Sequence, residues 1–255
     1  MKKDPDFLIN RKRTGTKIAS LTAYDYPTAK LLDDCGLDFL LVGDSLGMVV
    51  LGHPDTTEVR MDAMLYHTAA VARGALGTSI VSDLPRLSYP TPEAAARNAG
   101  LLVAAGADAV KVEGGRECLP SIHAITASGI PLIGHLGMLP QRVREEGGYR
   151  IKGRTEAEAV ALVEDALALE ASGVKAIVLE LVHPPLAAKI TSTVAVPTVG
   201  IGSGPDCDGQ ILVLHDVIGL SPWFRPRFAK ARADVAGEIA RAAREFASET
   251  RGTAF

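Results

Sequence analysis

Short runs of apolar and β-branched residues recur along the chain roughly every thirty residues, and each run ends at a glycine or an acidic side chain. The runs are continuously hydrophobic, which is typical of parallel strands covered on both faces, and segments with helical periodicity separate them. The predicted strands cover 17–22, 39–43, 78–82, 108–112, 131–134, 176–180, 197–201 and 211–215. The predicted helices cover 26–35, 61–74, 91–105, 117–128, 155–172, 184–192 and 228–249.

Residues that favour helix ends stand at the edges of several of these segments. Thr91 precedes a proline, which is typical of an N-cap followed by the first helical residue. Thr155 and Glu158 have the spacing of a capping box. Glycines follow four of the predicted helices, where a left-handed residue often ends a helix. These glycines are Gly36, Gly106, Gly129 and Gly173.

Eight strands that alternate with helices predict an α/β protein with a single (β/α)8 TIM barrel domain over residues 1–255. The helix predicted over 228–249 follows the last strand and lies on the outside of the barrel or at a subunit contact. The length of 255 residues is typical of one such barrel. An open, doubly wound sheet has the same alternation and stays the alternative, because counting strands does not prove closure.

Composition narrows the class of protein. A content of 47% hydrophobic and 22% charged residues is that of an ordinary globular chain. The net charge of −3, without a basic stripe, argues against a nucleic-acid partner. No apolar run is long enough to span a membrane, and Asp4, Pro5 and Asp6 stand where a signal peptide is apolar. Three cysteines, an odd count without CxxC spacing, argue against a disulfide framework and a thiolate zinc site. We expect a soluble, cytoplasmic enzyme.

Polar side chains gather at the carboxyl ends of the predicted strands. Active sites of TIM barrels lie at this end, so the pattern predicts a site there. Each residue also has a structural explanation, because an aspartate after a strand is often a turn or helix cap. The strand-end residues are Asp44, Ser45, Asp83, Lys111, Glu113, His135, Glu180 and His215.

Three acids, Asp44, Asp83 and Glu113, close three successive predicted strands. Carboxylates held close together repel unless they are protonated or share a cation. Oxygen ligands favour Mg²⁺ or Mn²⁺ over zinc and leave coordination positions open for substrate. A 2-oxo acid chelates a metal through its carboxylate and keto oxygens, and the metal then stabilises the enolate that forms when C3 loses a proton.

Further strand-end residues suit the same chemistry. Lys111 and Glu113 are two apart on one strand and therefore share a face. Lys111 could bind the oxo acid or neutralise the enolate, or it could form an ion pair with a neighbouring acid. Glu180 follows an apolar run, so a raised pKa would suit it to be the general base, although a structural ion pair is the alternative. Ser45 could contact the substrate carboxylate or cap a loop. His135 could hold one of the residues that contact the metal or the substrate.

Several motifs in one register over nearly the whole chain resemble the ketopantoate hydroxymethyltransferase family. VGDSLGM and VKVEGG are the most specific of them. The matching segments are LTAYD (21–25), LLVGDSLGMVVLGH (40–53), YHTAAVARGA (66–75), SDLP (82–85), VKVEGG (110–115), GHLGMLPQ (134–141), GGY (147–149), GIGSGPDCDGQILVLHD (200–216) and RFAK (227–230).

The resemblance implies a barrel of the phosphoenolpyruvate mutase and isocitrate lyase superfamily. It also implies Mg²⁺-dependent transfer of a hydroxymethyl group from 5,10-methylenetetrahydrofolate to 3-methyl-2-oxobutanoate, which gives 2-dehydropantoate for pantothenate biosynthesis. Family members are cytoplasmic homodecamers. The implied metal ligands are Asp44, Asp83 and Glu113; the implied substrate contacts are Asp44, Ser45, Asp83 and Lys111; and the implied proton acceptor is Glu180.

The sequence departs from the family pattern at Arg60, Arg86 and Leu181, and in several positions of 139–154. These positions are expected in loops that border the site, so a diverged metal-dependent aldolase or lyase on another 2-oxo acid stays an alternative. A Schiff-base aldolase that uses Lys111 and a non-catalytic binding protein are the other two readings.

Overall fold

The computed structural model describes residues 7–223 and 226–252. Its eight strands form a closed barrel in which each strand pairs with its neighbours in sequence order, and the recorded pairings are parallel. The predicted TIM barrel is therefore confirmed, and the open sheet is excluded. The strands are β1 (Ile18–Thr22), β2 (Phe39–Val42), β3 (Ser79–Asp83), β4 (Ala109–Glu113), β5 (Leu132–Gly137), β6 (Ala176–Glu180), β7 (Thr198–Ile201) and β8 (Gly209–Leu212).

Helices follow the strands in the order that the periodicity predicts. Three short helices, α1, α3 and α9, were not predicted; α1 and α3 lie outside the predicted segments, and α9 overlaps the end of the predicted strand 211–215. The helices are α1 (Phe7–Arg13), α2 (Tyr26–Leu32), α3 (Leu46–Val49), α4 (Met61–Gly74), α5 (Pro92–Ala104), α6 (Leu119–Ala127), α7 (Glu156–Ala171), α8 (Pro184–Thr193), α9 (Leu214–Val217) and α10 (Val235–Arg251).

Helix caps form largely as predicted. The Thr91 hydroxyl accepts the backbone N–H of Ala94 at the start of α5. At the start of α7 the Thr155 hydroxyl accepts the N–H of Glu158 at 3.3 Å. The Glu158 carboxylate accepts the N–H groups of Gly153 and Arg154 at 3.1 and 3.3 Å. Of the two hydrogen bonds of the predicted capping box, the one to the Thr155 hydroxyl forms, while the Glu158 carboxylate binds the loop that precedes the helix.

Two apolar cores follow from the alternation of side chains along each strand. One lies between the sheet and the surrounding helices. The other fills the barrel, where Leu8 of α1 packs against residues at the beginnings of the strands, such as Ile18 and Phe39. The N-terminal end of the barrel is therefore filled with apolar side chains, and the carboxyl end is left for polar ones.

The chain divides into two compact units between Ile211 and Leu212. In the second unit the predicted strand 211–215 is wrong at its end, because Val213 is the extended N-cap of α9 and His215 lies on that helix. The predicted helix 228–249 is shifted: α10 begins after Asp234, whose side chain accepts the N–H of Gly237. Among the described residues, none of the helices is long and apolar enough to cross a membrane. The single domain stays a prediction.

Candidate functional site

The strands direct the predicted site residues into the carboxyl end of the barrel. Side chains of a strand alternate between faces, and Val81, Ala109, Ile133, Ala176 and Val178 point into the barrel core. Every second residue further along these strands shares that face and reaches the open end. The residues so placed are Asp83, Lys111, Glu113, His135 and Glu180. The register of the strands places Asp83 beside Lys111 and Glu113 beside His135.

Lys111 is the buried cation of this group, with 4% of the residue exposed. Its Nζ lies 3.1 Å from Asp83 Oδ1 and 3.1 Å from His135 Nδ1. Because an ammonium group only donates, His135 Nδ1 must accept, which puts the imidazole proton on Nε2. Burial, and then the charge of Lys111, lower the pKa of His135 well below its ordinary value, so the ring is neutral. Its Nε2 lies 3.4 Å from Glu180 Oε2.

Four carboxyl groups surround this one lysine, so negative charge would exceed positive charge, and the pKa values of all four carboxyl groups are raised. Burial, followed by repulsion from Asp83, raises the pKa of Asp44 to about 7. Burial raises the pKa of Asp83, and burial followed by the charge of Asp44 raises the pKa of Glu113 well above its ordinary value. Burial opposes the charge on Lys111, but the acids around it, Asp83 first, still raise its pKa.

Two oxygens of this cluster lack hydrogen bonds within the described part of the chain. Glu113 Oε1 is buried without a hydrogen-bond donor, and Asp83 Oδ1 has its ion-pair contact with Lys111 but no hydrogen bond. Buried carboxylate oxygens are almost always satisfied, so such atoms call for an explanation, and a bound water or ion is the usual one.

Gln141, which the strand-end pattern did not single out, connects two of the acids. It lies beyond β5 in a short turn and is 3% exposed. Its side-chain Nε2 donates to Asp44 Oδ2 at 2.8 Å and to the carbonyl of Leu84 at 2.9 Å. Its backbone N–H donates to Glu113 Oε2 at 3.0 Å. The Tyr89 hydroxyl donates to its Oε1 at 2.7 Å, which fixes the orientation of the amide.

Ser45 and Glu180 complete the rim. Ser45 begins α3, and its hydroxyl lies 2.8 Å from the hydroxyl of the buried Tyr24. Burial raises the pKa of Glu180 to about 8, opposed by the charge of Lys111. Gly137 lies directly against Glu180: its φ is +99°, and a Cβ there would collide with the Glu180 carbonyl oxygen.

The structure therefore gathers around Lys111 most of the residues that the sequence singled out, and Ser45 stands at the same rim, immediately before α3. His215 is excluded from the strand ends because it lies on α9. Sequence reasoning missed Gln141, Tyr89 and Tyr24. Gln141 could have been found as the polar residue that ends the apolar run after β5, whereas the two tyrosines carry no such signal.

Comparison with known proteins gives a consistent result. The sequence profile of the family described as ketopantoate hydroxymethyltransferase matches residues 3–255. A protein of Ignicoccus hospitalis is 53% identical over 97% of this chain and 94% of its own length. One of Cenarchaeum symbiosum is 52% identical over 94% of this chain and 91% of its own length. Both carry the name 3-methyl-2-oxobutanoate hydroxymethyltransferase.

Solved structures share the fold at low sequence identity. A phosphonopyruvate hydrolase, solved with oxalate and Mg²⁺, has a TM-score of 0.63 and 16% identity, covering 98% of this chain and 99% of that one. A 2,3-dimethylmalate lyase of the PEP mutase/isocitrate lyase superfamily has a TM-score of 0.62 and 16% identity, covering 98% and 88%. The family profile and the close relatives together settle the assignment: the chain belongs to the ketopantoate hydroxymethyltransferase family of enzymes.

Proposed function

We propose that the protein transfers a hydroxymethyl group from 5,10-methylenetetrahydrofolate to 3-methyl-2-oxobutanoate, giving 2-dehydropantoate for pantothenate biosynthesis. A cytoplasmic homo-oligomer that requires Mg²⁺ is part of the same proposal. The observation that carries it is the group of four buried or half-buried acids that face the single cation Lys111. Family membership supplies the two substrates, and this group supplies the chemistry.

The donor set suits a hard divalent cation. Asp44, Asp83 and Glu113 offer only oxygen atoms, two of them buried without a hydrogen bond. Within residues 7–223 and 226–252, no three His, Cys, Asp or Glu side chains converge on one point as ligands of an ion. Mg²⁺ is usually held by one or two carboxylates and completes its shell with water and substrate, so a closed cage of protein ligands is not required.

When bound, the cation would supply positive charge next to the keto and carboxylate oxygens of the oxo acid. The side chains do the rest. Lys111 Nζ is held by its ion pair with Asp83 and its hydrogen bond to His135, and an ammonium group has three N–H donors, so it can also hold an oxygen of the oxo acid. The Ser45 hydroxyl, positioned by Tyr24, offers a second contact.

Glu180 is the group proposed to take the proton from C3. It stands across the barrel end from Asp83 and Lys111, beside the neutral His135. A carboxylate that is hard to keep charged is a strong enough base for a carbon acid. His135 Nε2 lies 3.4 Å from Glu180 Oε2, without a hydrogen bond among the described residues. The C3 carbanion of the enolate then forms a C–C bond to the methylene carbon, water supplies the hydroxyl oxygen, and both C–N bonds of that carbon break. Tetrahydrofolate leaves, and its two nitrogens take up the C3 proton and the second proton of the water.

The Schiff-base alternative receives no support from this geometry. An amine nucleophile must lose its proton, and nearby acids raise the pKa of Lys111 instead of lowering it. The ion pair with Asp83 and the hydrogen bond to His135 also hold its Nζ in place.

The proposal is tested by supplying 3-methyl-2-oxobutanoate with ¹³C-labelled methylenetetrahydrofolate and following the product by NMR. We expect labelled 2-dehydropantoate in the presence of Mg²⁺ and none in the presence of EDTA. Full turnover in EDTA would contradict the metal requirement. Cleavage of other 2-oxo acids without transfer would favour the lyase alternative.

A further inference from the structure

A cleft of about 350 Å³ opens beside the candidate site. The loops that follow β3, β4 and β5 form it, and it reaches Glu113 and Gln141, which belong to the acidic cluster. Its volume lies in the range of small-molecule sites. A molecule bound there would therefore lie beside the acidic cluster, and an oxo acid bound at that cluster would leave the cleft free.

One part of the cleft has apolar walls. Leu87, Pro90, Pro92 and Pro120 line it together with Tyr89. Leu87 is 74% exposed and has a φ of +65°, a left-handed backbone conformation that residues other than glycine rarely adopt. An exposed leucine held in this conformation at the edge of a cleft offers apolar surface to a ligand.

Arginines stand at the rim, each paired with a glutamate. Arg86 Nη2 lies 2.7 Å from Glu145 Oε1, and Arg142 Nη2 lies 2.9 Å from Glu117 Oε1. All four side chains are between 34% and 56% exposed. Exposed ion pairs contribute little to stability, so a ligand carboxylate could replace either glutamate at small cost. Guanidinium groups recognise carboxylates through two parallel N–H donors.

We propose that this cleft binds the folate that donates the one-carbon unit, with its pteridine between the apolar walls and its glutamate tail on Arg86 and Arg142. The assignment rests on the proposed function. The orientation follows from chemistry: the transferred carbon is attached next to the pteridine, so that end must face Glu113 and Gln141. The anionic tail then points to the rim, where the cations are.

The test measures binding of 5-formyltetrahydrofolate, a stable analogue, to the Mg²⁺-supplemented protein by calorimetry. We expect Arg86→Ala and Arg142→Ala each to raise its Kd about tenfold, as for loss of a hydrogen bond between charged groups. Arg241→Ala is the matched control, because Arg241 is also an exposed, ion-paired arginine and does not line the cleft. An analogue that lacks the glutamate tail should bind all three variants as it binds the wild type.

The glutamates give a result of opposite sign. Glu145→Gln and Glu117→Gln remove the carboxylates that compete for the arginines, so they should lower the Kd. A merely structural role of the two ion pairs would instead weaken binding in these variants. Wild-type affinity in both arginine variants, or weaker binding in both glutamine variants, would overturn the cleft assignment.

Exchange of the C3 proton of 3-methyl-2-oxobutanoate by the wild type, without folate, separates this inference from the proposed function. Exchange together with unaltered probe binding in all variants would overturn the cleft alone. Absence of exchange would overturn the proposed function and the cleft assignment with it.

Discussion

Acidic residues stand at both ends of the barrel strands, but the two groups differ in how completely their carboxylates are hydrogen-bonded and ion-paired. At the N-terminal end, Asp38, Asp108 and Asp208 each precede a strand and accept the backbone N–H at the start of the strand before it. These contacts reach Ala19, Ile80 and Thr198 at 2.9, 2.8 and 2.9 Å. Two of these acids also have a basic partner, Arg11 for Asp38 and Lys12 for Asp208.

At the carboxyl end the acids are crowded and incompletely satisfied. Asp83 Oδ1 and Glu113 Oε1 have no hydrogen bond among the described residues, and one lysine serves the whole group. The comparison shows that acidic residues stabilise the fold at the N-terminal end of the barrel, whereas at the carboxyl end they bring buried, unfavourable negative charge together. Unfavourable buried charge is typical of a site that binds something.

The largest effect is expected from Asp83→Ala. It removes an acid that touches both Lys111 and the backbone N–H of Asp44, and with it a proposed metal ligand. Transfer should fall by at least about 100-fold, because metal-derived charge stabilisation amounts to several kcal/mol. The initial rate of product formation at saturating Mg²⁺ measures this. Wild-type turnover would remove Asp83 from the site.

The matching change at the other end is Asp38→Ala, which should affect stability and leave turnover intact. Asp38 is 2% exposed and holds Arg11 and the Ala19 N–H. Losing this charged acceptor should lower the free energy of unfolding by about 2–3 kcal/mol, measured by urea denaturation. Asp206→Ala, at an exposed aspartate, is the control and should change little. An unchanged Asp38→Ala would show that this end is not structural.

Gln141→Leu should weaken Mg²⁺ binding about 10- to 100-fold, the usual effect of losing a partner of a metal ligand. The amide is what holds Asp44 Oδ2 in place. Tyr89→Phe, which only frees the amide to turn, should have a smaller effect. Calorimetric titration with Mg²⁺ gives both values, and an unaltered affinity in Gln141→Leu would contradict the positioning role.

The smallest effect is a pH dependence of the metal-free protein. Glu180 has a pKa raised to about 8, so its carboxyl keeps its proton in the folded state after the unfolded chain has lost it. The stability this contributes is present at low pH and is lost as pH rises through that value. His135, whose pKa is lowered, acts in the opposite sense only below about pH 6.5.

Between about pH 7 and 8.5 the contribution of Glu180 should therefore lower the free energy of unfolding by about 1 kcal/mol. Asp44 and Glu113, whose pKa values are also raised, act in the same sense, so Glu180→Gln should reduce the slope without abolishing it, and urea denaturation at several pH values measures both. Stability that rises with pH over this interval would show that Glu180 is not buried uncharged.

The fold was predictable to a large extent, because continuous apolar runs and helix caps are local signals. The errors lie where local signals conflict: the apolar run at 211–215 turns into α9 after Leu212, and α10 begins only after the Asp234 cap. Helix α1 was not predicted, and its role depends on a tertiary contact, because Leu8 packs into the core of the barrel.

The site was predictable as far as strand ends define it. Asp83, Lys111, Glu113 and Glu180 follow from alternation along strands and from the carboxyl-end rule. Gln141 was not predictable in the same way, because it belongs to a turn whose path depends on tertiary packing. Contacts such as Tyr24 with Ser45 join residues from different loops, and no local pattern encodes them.

The central claim is that the crowded carboxyl end removes a proton from the oxo acid with the help of a cation. The most direct test is deuterium incorporation at C3 of 3-methyl-2-oxobutanoate in D₂O, followed by NMR. We predict rapid incorporation by the wild type with Mg²⁺, and loss of incorporation both in EDTA and in Glu180→Gln. Incorporation at the wild-type rate by Glu180→Gln, or at an equal rate in EDTA, would contradict the account.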